Sequence, residues 1–112
     1  MMKLFRCGVC GYIHDGSEAP DHCPKCGSPK EKFSEITGDA KALIEKSRRT
    51  NEYHSAVMSL YQKINKWGKI IEEENLDPNC VAIAKRLQKD SREAVQSIKA
   101  ELEFHMKKGK WG

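Results

Sequence analysis

Apolar positions in the second half of the chain recur at the spacing of an amphipathic helix. From Tyr53, and again from Cys80, apolar residues step forward mainly by four and three positions, which places their side chains along one face of a helix. The two stripes are Tyr53, Val57, Leu60, Ile64, Trp67 and Ile71, then Cys80, Ile83, Leu87, Ala94, Ile98, Leu102 and His105. They predict two long helices, with a kink or break where residues 46–50 interrupt the pattern.

The segment between the stripes predicts a tight connection. The first helix is expected to end near Asn75, and Asp77 with Pro78 provides an N-cap and a first-turn proline for the second. A short connection forces two helices to run antiparallel as a hairpin. Because a two-helix hairpin buries only one seam and is marginally stable alone, we expect two copies to form a homodimeric four-helix bundle.

The first 36 residues have a different composition, rich in turn formers. Three of the four prolines and four of the five cysteines precede Thr37, after which helix-forming residues dominate. We therefore predict an α+β protein with a metal-binding domain at residues 1–36 and a helical hairpin domain at residues 37–112.

Composition and charge narrow the functional classes. The 112-residue chain has no apolar run long enough to cross a membrane and no apolar N-terminal stretch typical of secretion, so we expect a cytoplasmic protein. The first 36 residues are charge-balanced, so the net charge of +4 falls on the remainder. This modest excess favours an acidic partner rather than nucleic acid.

Two Cys-x-x-Cys pairs carry the strongest chemical signal. Cys7 and Cys10 are separated by 12 residues from Cys23 and Cys26, and thiols in a reducing compartment are more often metal ligands than disulfides. Two such turns predict a tetrahedral four-sulfur site, which suits zinc or iron equally. A glycine follows each pair. A left-handed backbone conformation is easy only for glycine, so this residue type suits the end of such a turn.

The residues around the cysteines resemble the short rubredoxin-like domain of rubrerythrins. The resemblance covers residues 4–36 and is carried by Cys7-x-x-Cys10-Gly11-Tyr12-Ile13-His14-x-Gly16, Ala19-Pro20, Cys23-Pro24-x-Cys26-Gly27-x-Pro29 and Phe33. It implies a rubredoxin-like fold in which Cys7, Cys10, Cys23 and Cys26 bind one iron ion (Fe²⁺/Fe³⁺), zinc being the alternative. It also implies single-electron exchange with a redox partner protein, and a small aromatic core of Phe5, Tyr12 and Phe33.

The resemblance does not extend to the peroxide chemistry of rubrerythrins. A di-iron bundle needs inward glutamates and Glu-x-x-His pairs, and neither His54 nor His105 has a glutamate three positions earlier. We therefore predict no di-iron site, no catalytic residues and no enzyme. His14 and His22, near the cysteines in sequence, are expected outside the ligand set because four thiolates already complete it.

Cys80 and a basic stripe on the second helix leave alternatives open. Cys80 is either a buried, inert thiol or a low-pKa thiol at a helix N-terminus. Lys85, Lys89 and Arg92, with Arg86 and Lys99, form either a solvated face or a docking surface.

The sequence as a whole leaves two functions open. The first is an iron electron carrier whose helices serve oligomerisation or docking, and the second is a structural zinc protein whose hairpin is an interaction module.

Overall fold

A computed structural model describes residues 2–112 and contains a small sheet followed by two long helices. The strands are β1 (Lys3–Cys7), β2 (Ile13–Gly16) and β3 (Phe33–Ile36), and the helices are α1 (Gly38–Glu74) and α2 (Pro78–Lys107), with a 3₁₀ turn at Lys30–Lys32 before β3. This architecture confirms the predicted α+β class and the helical hairpin.

By packing, the chain divides into two compact units. One runs up to Arg48 and includes Gly109–Gly112, and the other is Arg49–Lys108. The first unit therefore contains four of the five cysteines, the sheet and the opening turns of α1, and the second contains the helical hairpin and Cys80. The compositional boundary between residues 36 and 37 stays a prediction about domain organisation.

The sheet of the first unit is antiparallel, with β1 between β2 and β3. Leu4 on β1 is almost completely buried, and Ile44 on the first turns of α1 is buried in the same unit. The aromatic residues Phe5 and Phe33 are only half-buried. The fully buried apolar residues of this unit, apart from cysteines, are thus aliphatic, and the helix supplies one of them.

Arg48 fastens the helical part of the first unit to the sheet. Its Nη1 and Nη2 donate to Oδ2 and Oδ1 of Asp15 at 2.9 and 2.8 Å, and its Nε donates to the carbonyl oxygen of Gly112 at 2.6 Å. A bidentate guanidinium–carboxylate pair restricts orientation as well as distance. Arg48 thereby connects α1, β2 and the C-terminal residues.

The helix boundaries follow the predicted signals, apart from the interruption at residues 46–50. The Asp77 side chain accepts a hydrogen bond from the Cys80 backbone N–H at 2.7 Å, which confirms the predicted N-cap of α2. Asn75 ends α1 with a left-handed φ of 48°. Of the kink or break expected at residues 46–50, the break is wrong, since α1 is one continuous helix from Gly38 to Glu74.

The faces that pack inside the hairpin differ from the predicted stripes. On α1, Tyr53, Leu60 and Trp67 are 57–60% exposed. Buried or half-buried residues instead recur at seven-residue spacing in a different register, at Asn51, His54, Met58, Tyr61, Asn65, Gly68 and Glu72. The predicted α1 stripe is therefore wrong as the internal seam, whereas Ile98, Leu102 and His105 on α2 are buried as expected.

The hairpin seam is held by polar groups and close backbone approach. His105 Nδ1 lies 2.6 Å from Asn51 Oδ1, and Gln88 Nε2 donates to Glu72 Oε2 at 3.1 Å. A methyl group added to Gly68 would lie 2.9 Å from Gln88 Cγ, so the helices pack closely there because that residue is glycine. Sequence periodicity located the helices but not the side on which they meet.

Candidate metal centre

The two cysteine pairs form turns with the same backbone hydrogen bonds. The N–H of Gly11 donates to the Cys7 carbonyl, and the N–H of Gly27 donates to the Cys23 carbonyl, each at 2.9 Å. Both glycines have left-handed φ values, of 82° and 78°, a conformation that costs other residues roughly 1–2 kcal/mol. The glycines therefore allow each chain segment to fold back so that both cysteines of a pair face the same point.

The four sulfur atoms lie at the corners of a compact cluster. All are within 4.8 Å of one another, with 3.7 Å between Cys7 and Cys26 and 3.6 Å between Cys10 and Cys23. A tetrahedral ion with metal–sulfur bonds of about 2.3 Å has sulfur–sulfur edges of about 3.8 Å. These residues thus fit one four-coordinate zinc or iron ion, and their spacing is too long for disulfides.

Backbone N–H groups and one hydroxyl are directed at the sulfurs. The pKa of the Cys7 thiol is lowered by the N–H of Cys10, against the opposing effect of burial. The pKa of Cys26 is lowered to about 6, first by the Ser28 hydroxyl, whose Oγ lies 3.1 Å from Sγ, and then by the Ser28 N–H. Such donors favour the thiolate, the form that binds metal.

Cys10 differs from these two thiols. The Tyr12 N–H lowers the pKa of Cys10, but burial and contacts with the neighbouring thiols outweigh it and raise the pKa to about 11. Metal-free protein therefore retains a proton on this thiol at neutral pH. Because a bound ion requires all four thiolates, metal binding releases protons and strengthens as the pH rises.

The cluster has a buried side and an exposed side. Cys7 and Cys23, the first cysteine of each pair, are 1% and 3% exposed, whereas Cys10 is half-buried and Cys26 is exposed. Val9, in the first turn, is 62% exposed, and Lys25 in the second is also exposed. An ion held here would be closest to solvent along Cys10 and Cys26.

The histidines singled out in the sequence lie outside this cluster. Among residues 2–112, the four cysteines are the one group of at least three His, Cys, Asp or Glu side chains close enough to share an ion. The Nδ1 of His14 lies 3.4 Å from the Tyr12 hydroxyl, and His105 belongs to the hairpin seam, where its Nε2 lies 3.0 Å from Glu101 Oε1.

Cys80 is a half-buried thiol beside the carboxylate that caps α2. Its Sγ–H donates to Asp77 Oδ2 at 3.5 Å, and this bond, with burial, raises the pKa of Cys80. The low-pKa alternative for this cysteine is therefore wrong: the neighbouring carboxylate disfavours the thiolate.

A role for Ser28 was not predicted from the sequence, although its position two residues after Cys26 matches the N–H donor positions of these turns.

The sheet and the cysteine cluster are similar to a rubredoxin-like domain, and the four cysteines are close enough to bind one metal ion. Residues 5–34 match the family model described as "Rubrerythrin, rubredoxin-like domain". This match confirms the resemblance found in the sequence. It covers about a quarter of the chain, and the helical hairpin lies outside it.

Two curated relatives are similar to the N-terminal part of the chain. Reverse rubrerythrin-1 from Clostridium acetobutylicum is 43% identical over 47 residues, which are 42% of this chain and 26% of the relative. Rubrerythrin from Nitratidesulfovibrio vulgaris is 52% identical over 29 residues, 26% of this chain and 15% of the relative. The chain thus spans about a quarter or less of the length of these relatives.

No solved structure matches the chain significantly. In the part of the chain that the structure describes, neither long helix has the length and apolar character needed to span a bilayer.

Proposed function

We propose that this chain is a cytoplasmic electron-transfer protein in which Cys7, Cys10, Cys23 and Cys26 hold one iron ion. The observation that carries the proposal is the cluster of four sulfurs at tetrahedral spacing, inside a segment similar to the rubredoxin-like domain of rubrerythrin. Iron in such a site supplies one-electron exchange between Fe²⁺ and Fe³⁺. No catalytic residues are assigned.

The residues of the chain would give this centre its properties. N–H groups and the Ser28 hydroxyl spread the negative charge of the thiolates, which in an iron site favours the reduced form. The buried Cys7 and Cys23 fix the geometry, so oxidation and reduction need little rearrangement. Electrons would pass at the exposed side, where Val9 and Lys25 present an apolar and a positive contact to a redox partner protein.

The test is metal analysis and visible spectroscopy on protein purified anaerobically from its native host. We expect about one iron per chain, with sulfur-to-iron charge-transfer bands that bleach with dithionite and return with air. Cys26→Ser should weaken these bands, while Cys80→Ser, which removes a thiol outside the cluster, should leave them unchanged. Native protein that contains only zinc and lacks such bands contradicts the proposal.

A structural zinc protein with an interacting hairpin is the second candidate function. The sulfur spacing fits zinc as well as iron, and the basic residues Lys85, Lys89 and Arg92 are all exposed on α2. Under this alternative, an acidic partner recovered with the native protein loses affinity when these three charges are reversed. The matched control reverses Lys3, Lys41 and Lys46 in the other unit, and equal binding by both triple variants rejects the docking surface.

A further inference from the structure

Apart from Ile70 and Met106, the exposed large apolar residues of the two helices lie on one side of the hairpin. On both helices they occupy positions either one before or two after a residue of the internal seam. The two helices run in opposite directions and face each other across the seam. Residues that stand in the same place relative to a seam residue, for example one position before it, therefore lie on the same side of the hairpin on both helices. This outer apolar face comprises Tyr53, Val57, Leu60, Trp67, Ile71, Ile83 and Phe104, which are 38–60% exposed.

The outer apolar face is large enough for a specific protein interface. At roughly 150–250 Å² for a fully exposed large side chain, these half-exposed residues leave on the order of 600 Å² of apolar surface open. That area is at the upper limit of what monomeric proteins typically leave in one patch, about 300–600 Å². Two such faces in contact would bury about 1,200 Å², which reaches the range of stable, specific interfaces.

The distribution of large and small residues indicates what covers this face. Contacts across the seam, such as that of Asn51 with His105, fix which residues of α1 and α2 lie at the same level. The large side chains Leu60 and Ile64 lie within about one turn of the levels of the small residues Ser97 and Ala94 on α2. At these levels, a second hairpin related by a two-fold axis along the helices would set large residues against small ones.

We propose that a second copy of this chain covers the outer apolar face, giving a homodimeric four-helix bundle in which α1 of each copy packs against α2 of the other. The charged residues of α2 that lie within this face, Asp90 and Glu101, are both acidic, and exposed Lys63 flanks the face on α1 within about one turn of the level of Asp90. The predicted stripe on α1 thus serves the contact between copies, while the polar seam serves the contact within each copy.

The test is the mass of the metal-loaded full chain in solution, by light scattering from micromolar to millimolar concentration. We expect twice the chain mass of 12.7 kDa, and an increase of at least about 100-fold in the dimer dissociation constant for Leu60→Glu, because each copy would bury an unpaired charge. Ser59→Glu, on the neighbouring exposed position outside this face, should leave the dimer intact. A monomeric wild type at all concentrations, or a dimer unaffected by Leu60→Glu, overturns the proposal.

Trp67 provides a second measurement that does not depend on how Leu60→Glu folds. In a Trp111→Phe background, Trp67 is the remaining tryptophan, and it is 57% exposed in the single hairpin. Its emission should shift to shorter wavelength as concentration rises through the dimer dissociation constant, since dimerisation removes the indole from water. Emission that stays constant while the mass doubles places the interface elsewhere and overturns the assignment of this face.

Discussion

The substitution Gly68→Ala should have two effects of opposite sign on the free energy of unfolding, because Gly68 lies at the hairpin seam. Replacing glycine by alanine inside a helix adds about 1 kcal/mol of helix propensity. The new methyl group, however, would lie 2.9 Å from Gln88 Cγ and 3.1 Å from the backbone oxygen of Ala84. Ala84 is fully buried, so the helices must move apart, and overpacking of this kind costs about 1–3 kcal/mol. The difference between these terms gives an expected net destabilisation of about 0–2 kcal/mol.

The assay is urea unfolding of the metal-loaded protein, followed by helical circular dichroism at one fixed protein concentration. Ser59→Ala, on an exposed turn of the same helix, should change the free energy of unfolding by less than about 0.5 kcal/mol. Gln88→Ala removes one of the two crowding groups, so Gly68→Ala should cost less by about 1 kcal/mol in that background. Stabilisation by Gly68→Ala in the otherwise unchanged chain would refute the argument that close approach at Gly68 limits the packing.

Three further predictions concern single contacts. Gly27→Ala should destabilise the metal-loaded first unit by about 1–2 kcal/mol in thermal unfolding, because a left-handed backbone disfavours a side chain; no loss would contradict this. Asn51→Ala should cost about 1–3 kcal/mol by leaving buried His105 without its 2.6 Å contact, and an equal cost in a His105→Ala background would exclude coupling. In metal-free protein, Ser28→Ala should raise the pKa of Cys26 from about 6 and slow its alkylation near pH 6, with an unchanged rate arguing against the hydroxyl.

The local signals of the sequence were sufficient to predict the turns that bring the four cysteines together and the helix boundaries. The spacing of the cysteines and the glycine after each pair depend on short-range backbone geometry, so the turn conformation could be read from a few residues. The same holds for Asp77 and Pro78, whose capping geometry involves one turn of helix. A role for Ser28 could not be predicted because serine is common in turns for many reasons. The 3.1 Å distance between its Oγ and the Sγ of Cys26 is what identifies its contact with the sulfur.

The packing of the helices could not be derived from the same signals. Hydrophobic periodicity finds the most apolar face of a helix, and on α1 that face contains Leu60 and Trp67 rather than the residues that meet α2. The internal seam instead uses Asn51, Gly68 and Gln88, which pack by hydrogen bonding and small size. Polar residues at seven-residue spacing are common on the solvated faces of helices. Their presence along α1 therefore gave no reason to predict that this face, rather than the apolar one, packs against α2.

The unequal exposure of the four sulfurs has a kinetic consequence for the ion they would hold. A chelator or a competing metal can approach only from the side of Cys10 and Cys26, because Cys7 and Cys23 are buried. Metal exchange should therefore begin with dissociation of Cys10 and Cys26 from the ion, while Cys7 and Cys23 remain bound to it. Which metal occupies such a site then depends on the order in which ions reach the newly folded chain, as well as on affinity.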